Sequence, residues 1–226
     1  ATGEEVWRTP NPRKWKMTHS SVTPMPFRGS DLLLYCASGG VVGVDAADGS
    51  LLWTSDAWKV SIANIASPLP FEDGRIFFSG GYNSGSMMAQ LTRGSDGGFT
   101  MDELYRLKAR EYGSTQQTPV LFKDHILGIR PNGDLVCLAL DGTLVWASGK
   151  DHRFGLGPMM LVDGLILAMD DFGTITMAEA SVEAFKPLGS FAAFDGHDAW
   201  GPFATAGTRV ICRDFTTMRC FDFGAQ

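Results

Sequence analysis

Apolar residues along this chain come in short runs bounded by glycine, proline, aspartate and asparagine. The runs Leu135-Val136-Cys137-Leu138-Ala139-Leu140 and Leu165-Ile166-Leu167-Ala168-Met169 are apolar at nearly every position, as strands packed on both faces require. The stretch from Gly40 to Trp53 holds two such runs around Asp48-Gly49, a dipeptide that supplies the positive φ angles of a tight hairpin turn. Weaker copies of that stretch recur. No segment keeps a helical period long enough to compete, so the pattern predicts antiparallel strands throughout.

The copies stay in step. Pro24, Pro68, Pro119, Pro158 and Pro202 each sit in a short apolar stretch, and each is followed by a turn position at Gly29, Gly74, Asp124, Gly164 or Gly207. A strand follows each turn: Leu32 to Cys36, Arg75 to Ser79, His125 to Arg130, Leu165 to Asp170 and Arg209 to Arg213. A second turn and a third strand then end at a column made of Asp45, Gln90, Ala139, Glu179 and Asp222. A repeat of this length with four short strands per unit is the signature of a β-propeller blade. Leucine-rich and β-helix repeats are shorter and carry fewer strands. The expected fold is therefore all-β: a β-propeller of four-stranded antiparallel blades, with five repeat units in one domain over 1–226. The blades are placed at about 18–54, 62–107, 114–147, 154–190 and 199–223, and an N-terminal strand at 4–7. That strand could complete the last unit and close a five-blade ring. The alternative is a fragment of a larger, typically eight-blade, ring, with the chain starting inside something longer. Residues 93–100 read as an insertion.

Composition narrows function by exclusion. With 44% hydrophobic residues the 226-residue chain can bury a core, and a net charge of -6 without basic blocks argues against nucleic acid and against anionic membrane surfaces. No run approaches the roughly 20 apolar residues of a spanning helix, and membrane insertion is not expected. Cys36, Cys137, Cys212 and Cys220 form no CxxC or adjacent pair. With a turn centred on Phe215 and Thr216, Cys212 and Cys220 would face each other across a hairpin. Buried free thiols are the preferred reading over a strained cross-strand bridge.

Gly43, Asp45, Gly49 and Trp53 resemble, in full, the tryptophan-docking motif of the pyrroloquinoline-quinone (PQQ) repeat family. Ala1, Thr2, Gly3 and Trp7 resemble its second half. Gly142 and Trp146 do so on a hairpin one residue shorter, with Ala139 in place of the acid, while Glu179 and Asp222 keep the acid alone. Trp7, Trp53 and Trp146 are accordingly expected to be structural docking residues. The resemblance implies a quinoprotein alcohol dehydrogenase-like propeller, usually exported. Some members are dehydrogenases that hold PQQ and calcium on the axis. Others, among them outer-membrane assembly lipoproteins, are cofactor-free binding platforms. The dehydrogenases stack PQQ against a disulfide of adjacent cysteines, which this chain lacks. The favoured reading is a non-catalytic binding or scaffolding module without cofactor, periplasmic or secreted, whose partner is a protein, a small polar ligand or a glycan. The alternatives are a PQQ- and calcium-dependent dehydrogenase and a lectin-like propeller.

Function in such folds lives in the loops at one face. An axial funnel would collect His19, Asn64, Gln116, Arg130, Arg153, Asp170, His197, Trp200 and Arg213, with Tyr82, Asn83, Gln117 and Asn132 nearby. Arg130 and Arg213 fall at one place in their units, with Asp170 at that place between them. They could clamp a carboxylate, or simply be neutralised by Asp170 and Asp214. Asp170-Asp171 could offer oxygens to calcium, but adjacent strand residues point opposite ways. No catalytic residue and no metal ligand is assigned. His19, His125, His152 and His197 share no ligand spacing, and no serine sits in a nucleophile elbow. Arg8, Arg13, Lys14, Trp15 and Lys16 form the densest cationic patch, able to dock an acidic partner or a sugar, or to stand as a solvated loop.

Overall fold

The computed structural model describes residues 2–224, and every regular element among them is a β-strand. The chain divides into two compact units, one ending at Thr118 and the next starting at Pro119.

The first unit holds two antiparallel sheets, each a simple meander. One is β1 (Thr23–Phe27), β2 (Ser30–Ala37), β3 (Gly40–Asp45) and β4 (Leu51–Ser55). The other is β5 (Leu69–Pro70), β6 (Arg75–Gly80), β7 (Gly85–Arg93) and β8 (Phe99–Leu107). Residues 93–100 lengthen the β7–β8 hairpin instead of adding a loop, since Arg93 still pairs with Phe99. The sheets share a core of Leu32, Leu34, Val41 and Trp53 against Ile76, Phe78, Met87 and Leu91.

The second unit continues the pattern. Its sheets are β9 (Val120–Phe122), β10 (His125–Ile129), β11 (Leu135–Ala139) and β12 (Leu144–Ala147); then β13 (Met159–Val162), β14 (Leu165–Met169), β15 (Thr174–Glu179) and β16 (Lys186–Ala192); then β17 (Ala204–Ala206), β18 (Arg209–Arg213) and β19 (Met218–Asp222). One core joins the first two sheets through Leu127, Cys137, Trp146 and Ile166, and another joins the last two through Leu167, Ile175, Phe203 and Val210.

The five sheets share one pairing register. Asp45, Gln90, Ala139, Glu179 and Asp222 lie opposite Leu32, Arg75, His125, Leu165 and Arg209, at or near the start of each second strand. The prolines fall in or just before each first strand, where a missing N–H costs no ladder bond. The first turns Arg28-Gly29 and Asp163-Gly164 hold both central residues at positive φ, as two-residue hairpins need. The Asp48-Gly49 turn is looser than expected, because Gly49 alone has positive φ and the loop runs over residues 46–50. Its aspartates close it: Asp45 Oδ1 accepts the Ala47 N–H and Asp48 Oδ1 the Ser50 N–H, each at 2.8 Å. Asp141 does the same for Thr143 in the shorter copy.

Four sheets share a feature absent from the sequence pattern. The third and fourth strands slip at Gly43/Val44, Met88/Ala89, Cys137/Leu138 and Met177/Ala178, each one residue before the end column. Such a bulge tightens local twist and sets how the outer strand leans.

Residues 4–7 form no strand. The segment lies instead against the β3–β4 turn, with Trp7 Nε1 donating to the Ala46 carbonyl at 3.2 Å and Thr9 Oγ1 to the Gly49 carbonyl at 2.8 Å. Side chains, not backbone, make these bonds, so no ladder forms. Ala1, assigned to the same motif, lies outside the described residues. The last sheet has three strands among the described residues. All four cysteines are free, as expected, but only Cys36, Cys137 and Cys212 are buried; Cys220, expected to be buried too, is exposed. Cys212 pairs with Arg219 and Cys220 with Ile211, one register step apart, so the two thiols point to opposite faces.

Candidate functional site

In the second unit, three turns between second and third strands and two segments linking neighbouring sheets are tied into one rim. The turn at residues 130–134 holds the segment before β13, with Phe154 N–H donating to the Gly133 carbonyl at 2.8 Å. The turn at 170–173 grips the same segment and the next one. Asp171 Oδ1 accepts the Leu156 N–H and the Trp200 indole N–H, both at 2.8 Å, and the Asp171 carbonyl accepts the Ala199 N–H at 3.2 Å. The turn at 214–217 is tied in where Phe215 N–H meets the His197 carbonyl at 3.2 Å.

Asp134 is the most committed of these acids. It is buried and accepts Arg130 Nη2 at 2.6 Å, Asn132 Nδ2 at 2.9 Å and Arg153 Nε at 3.3 Å. Burial works to raise its pKa, but the bonds from Arg130, Asn132 and Arg153 outweigh it and hold the carboxyl below the usual carboxylate range. Asp170 caps its own turn, taking the Phe172 and Thr174 N–H groups at 3.0 and 2.8 Å. Asp214 takes those of Thr216 and Thr217, which hold its pKa low.

Of the residues singled out from sequence, Arg130 and Arg153 do converge, yet on Asp134 and not as an open carboxylate clamp. Arg213 does not share the place of Arg130, contrary to expectation. It is the last paired residue of β18, opposite Met218, and Asp214 occupies the turn position of Arg130 and Asp170. The Arg213 side chain packs on Gly201 and reaches the Asp214 carbonyl at 3.4 Å. His197 is exposed, 3.2 Å from Asp198, and stacks on Phe215. His19, Asn64 and Gln116 belong to the first unit. There, His19 N–H donates to the Asn64 carbonyl, the Asn64 amide is enclosed beside the Cys36 thiol, and Gln116 is half-buried. Among the described residues no three acidic, histidine or cysteine side chains stand close enough to hold a metal ion.

Sequence reasoning passed over Asp134 and the aromatic tips Phe172 and Phe215, which are 69% and 67% exposed. Each lies within a turn rich in Asp, Asn, Gly or Thr, and that adjacency was the available signal. Between the first two turns a cleft of about 310 Å³ is lined by Asn132, Arg153, Asp170, Asp171 and Phe172. The rim thus turns the carboxylates of Asp134, Asp170, Asp171 and Asp214 onto its own groups, and shows solvent Arg153, Arg213, His197, two phenylalanines and the edge of Trp200.

Of the three tryptophans, Trp146 Nε1 donates to the Ser181 carbonyl of the neighbouring sheet at 3.1 Å, as Trp7 does to Ala46. Trp53 is buried against Gly43, and its Nε1 finds no partner among the described residues.

Sheets of this topology, repeated in register and paired through apolar faces, define a repeat protein of β-propeller blades. The family model described as outer membrane protein assembly factor BamB, a PQQ-type repeat model, matches residues 1–148, and the chain belongs to this family. Among solved structures it resembles BamB from Moraxella catarrhalis at 15% identity and a TM-score of 0.59, over 94% of this chain and 61% of that one. The chain therefore spans about three fifths of the length of that protein. The computationally designed Ika8 protein is similar at 10% identity and a TM-score of 0.49, over 90% of this chain and 71% of its own. No curated protein matches the chain.

Proposed function

We propose that this chain is a non-catalytic binding module that works outside the cytoplasm, in the periplasm, in the assembly of outer membrane proteins. Its partner is a protein segment that carries apolar and acidic side chains. The observation that carries this reading is the division of labour on the rim of the second unit. Asp134, Asp170, Asp171 and Asp214 are engaged within the rim, while Phe172, Phe215, Trp200 and Arg213 face outward and Arg153 stands half exposed beside its partner Asp134. Exposed aromatics beside arginine are the composition of protein-binding hot spots. Membership of the BamB family supports the same class of role.

The reading includes no PQQ and no calcium. The rim offers no adjacent cysteines, and Asp170 and Asp171 each commit Oδ1 to two N–H groups of the protein. A photo-crosslinking residue placed at 172 or 215 should trap a component of the outer membrane assembly machinery in cells, while one at Asp96, on the β7–β8 turn, should not. Quinone absorbance with dye-linked alcohol oxidation after loading with PQQ and calcium would overturn the proposal. So would saturable glycan binding that Trp200→Ala abolishes.

A further inference from the structure

In the cleft between the turns at residues 130–134 and 170–173, a cation and an anion each keep bonding capacity that the rim does not use. Arg153 reaches Asp134 Oδ1 through Nε, at 3.3 Å, and its two Nη groups donate to no acceptor among the described residues. The side chain is half exposed, and Asp134 is already held more closely by Arg130, at 2.6 Å. Asp170 gives Oδ1 to the Phe172 and Thr174 N–H groups at 3.0 and 2.8 Å, and no arginine, lysine or histidine stands at ion-pair distance from it among the described residues.

Backbone geometry sets these two groups at opposite ends of one short segment. Asp134 and Arg153 form an antiparallel bridge, Phe154 N–H reaches the Gly133 carbonyl at 2.8 Å, and Leu156 N–H reaches Asp171 Oδ1 at 2.8 Å. Residues 153–156 thus run from one turn to the other, a reach of about 10 Å in extended chain. The middle of the cleft is bare backbone. A Cβ on Gly155 would lie 2.0 Å from Asp171 Oδ2, and one on Gly133 would lie 3.1 Å from the Gly155 nitrogen. The exposed Phe172 ring completes the lining at the acidic end.

We propose that this cleft is a binding site for a small zwitterion, a free α-amino acid, with its carboxylate on the Nη groups of Arg153, its ammonium at Asp170 and its side chain against Phe172. Charge balance selects a ligand that carries both signs. A lone anion on Arg153 would also face Asp170 and Asp171, and a lone cation at Asp170 would face two arginines that share one carboxylate. The guanidinium fork matches a carboxylate in shape as well as in sign. The cleft of about 310 Å³ falls at the lower end of small-molecule sites. At about 30 Å³ per water-sized group it holds about ten non-hydrogen atoms, the size of leucine. This site goes beyond the protein-docking reading and does not rest on it.

The probe is L-leucine, titrated into the protein by calorimetry, with N-acetyl-leucine as the anion alone and leucinamide as the cation alone, all slightly below neutral pH so that the amine of leucinamide stays protonated. The expected result is saturable binding of leucine at one site, with each analogue weaker by about fivefold. Two variants locate the charges. Arg153→Gln should weaken leucine by about fivefold and leave leucinamide no weaker; Asp134 keeps Arg130 and Asn132 in that variant. Asp170→Asn, which retains an Oδ1 for its turn, should weaken leucine likewise and leave N-acetyl-leucine no weaker. Heat unfolding checks that both variants are folded; if either is not, Phe172→Ala takes its place and should weaken leucine. Absence of saturable uptake at tens of millimolar leucine overturns the proposal, as does an analogue that binds as tightly as leucine or a set of folded variants that all bind leucine like the parent. Crosslinking from 172 or 215 to a protein partner, or its failure, leaves these affinities as they stand, so the two readings fail separately.

Discussion

Asp134 shows how one residue can matter more than its place in the sequence implies. Its carboxylate ties Arg130, Asn132 and Arg153 together across a turn and the segment before β13. Asp134→Asn leaves Arg130 and Arg153 without their counter-charge, and it should lower stability at neutral pH by about 1–3 kcal/mol. The sign of the pH dependence follows from the depressed folded pKa. An unfolded aspartate titrates near 3.9. The stabilisation is therefore complete above that value and is lost as pH falls through the lower folded pKa. Urea midpoints of parent and variant should be well separated at neutral pH and converge in strong acid. A gap that persists there would mean the residue acts through packing alone.

At the scale of an element, the three tryptophans share a sequence motif but not a bond. Trp146 donates to Ser181 across a sheet boundary, whereas the Trp53 indole N–H is buried without a partner. Phenylalanine keeps most of the ring and drops the donor. Trp146→Phe should therefore cost about 1 kcal/mol more than Trp53→Phe in denaturant unfolding. Gly43 is constrained by the same packing, since a Cβ there would lie 2.1 Å from the Trp53 indole nitrogen. Gly43→Ala must displace the ring from the core, and it should destabilise by about 1–3 kcal/mol. Glycine and tryptophan at this spacing are thus one device: the missing side chain on β3 is the seat for the ring on β4.

For the molecule as a whole, the cysteines report on both units. Cys36 lies in the first, and burial pushes its thiol up to about 12; Cys137 and Cys212 lie in the second, and burial pushes each up to about 11. Cys220 alone is exposed. A thiol reagent at neutral pH should react with one cysteine per folded chain at once, and with the remaining three only on unfolding. Two fast thiols would show that one of the cores is open in solution. Substituting Cys220→Ser should remove the fast phase and leave the slow ones.

The five-fold repeat, its proline and end columns, and the strands after each first turn were legible because they are written in local terms: alternation, turn residues and spacing. The four-strand meander follows from them, since sequential strands with short turns pair with their neighbours. The tertiary structure decided what depends on a single register step or on a partner far along the chain. One step separates Arg213 from Asp214 and puts Cys212 and Cys220 on opposite faces, because side-chain direction in a strand reverses at every residue. The shared bulge beside the end column comes from pairing and leaves no mark on composition. Residues 4–7 carry a tryptophan placed as Trp53 and Trp146 are at the ends of their outer strands, so by local pattern they read as a strand. They became a strap because the bonds they found were two carbonyls of the β3–β4 turn and the glycine seats beside them, which no local pattern records.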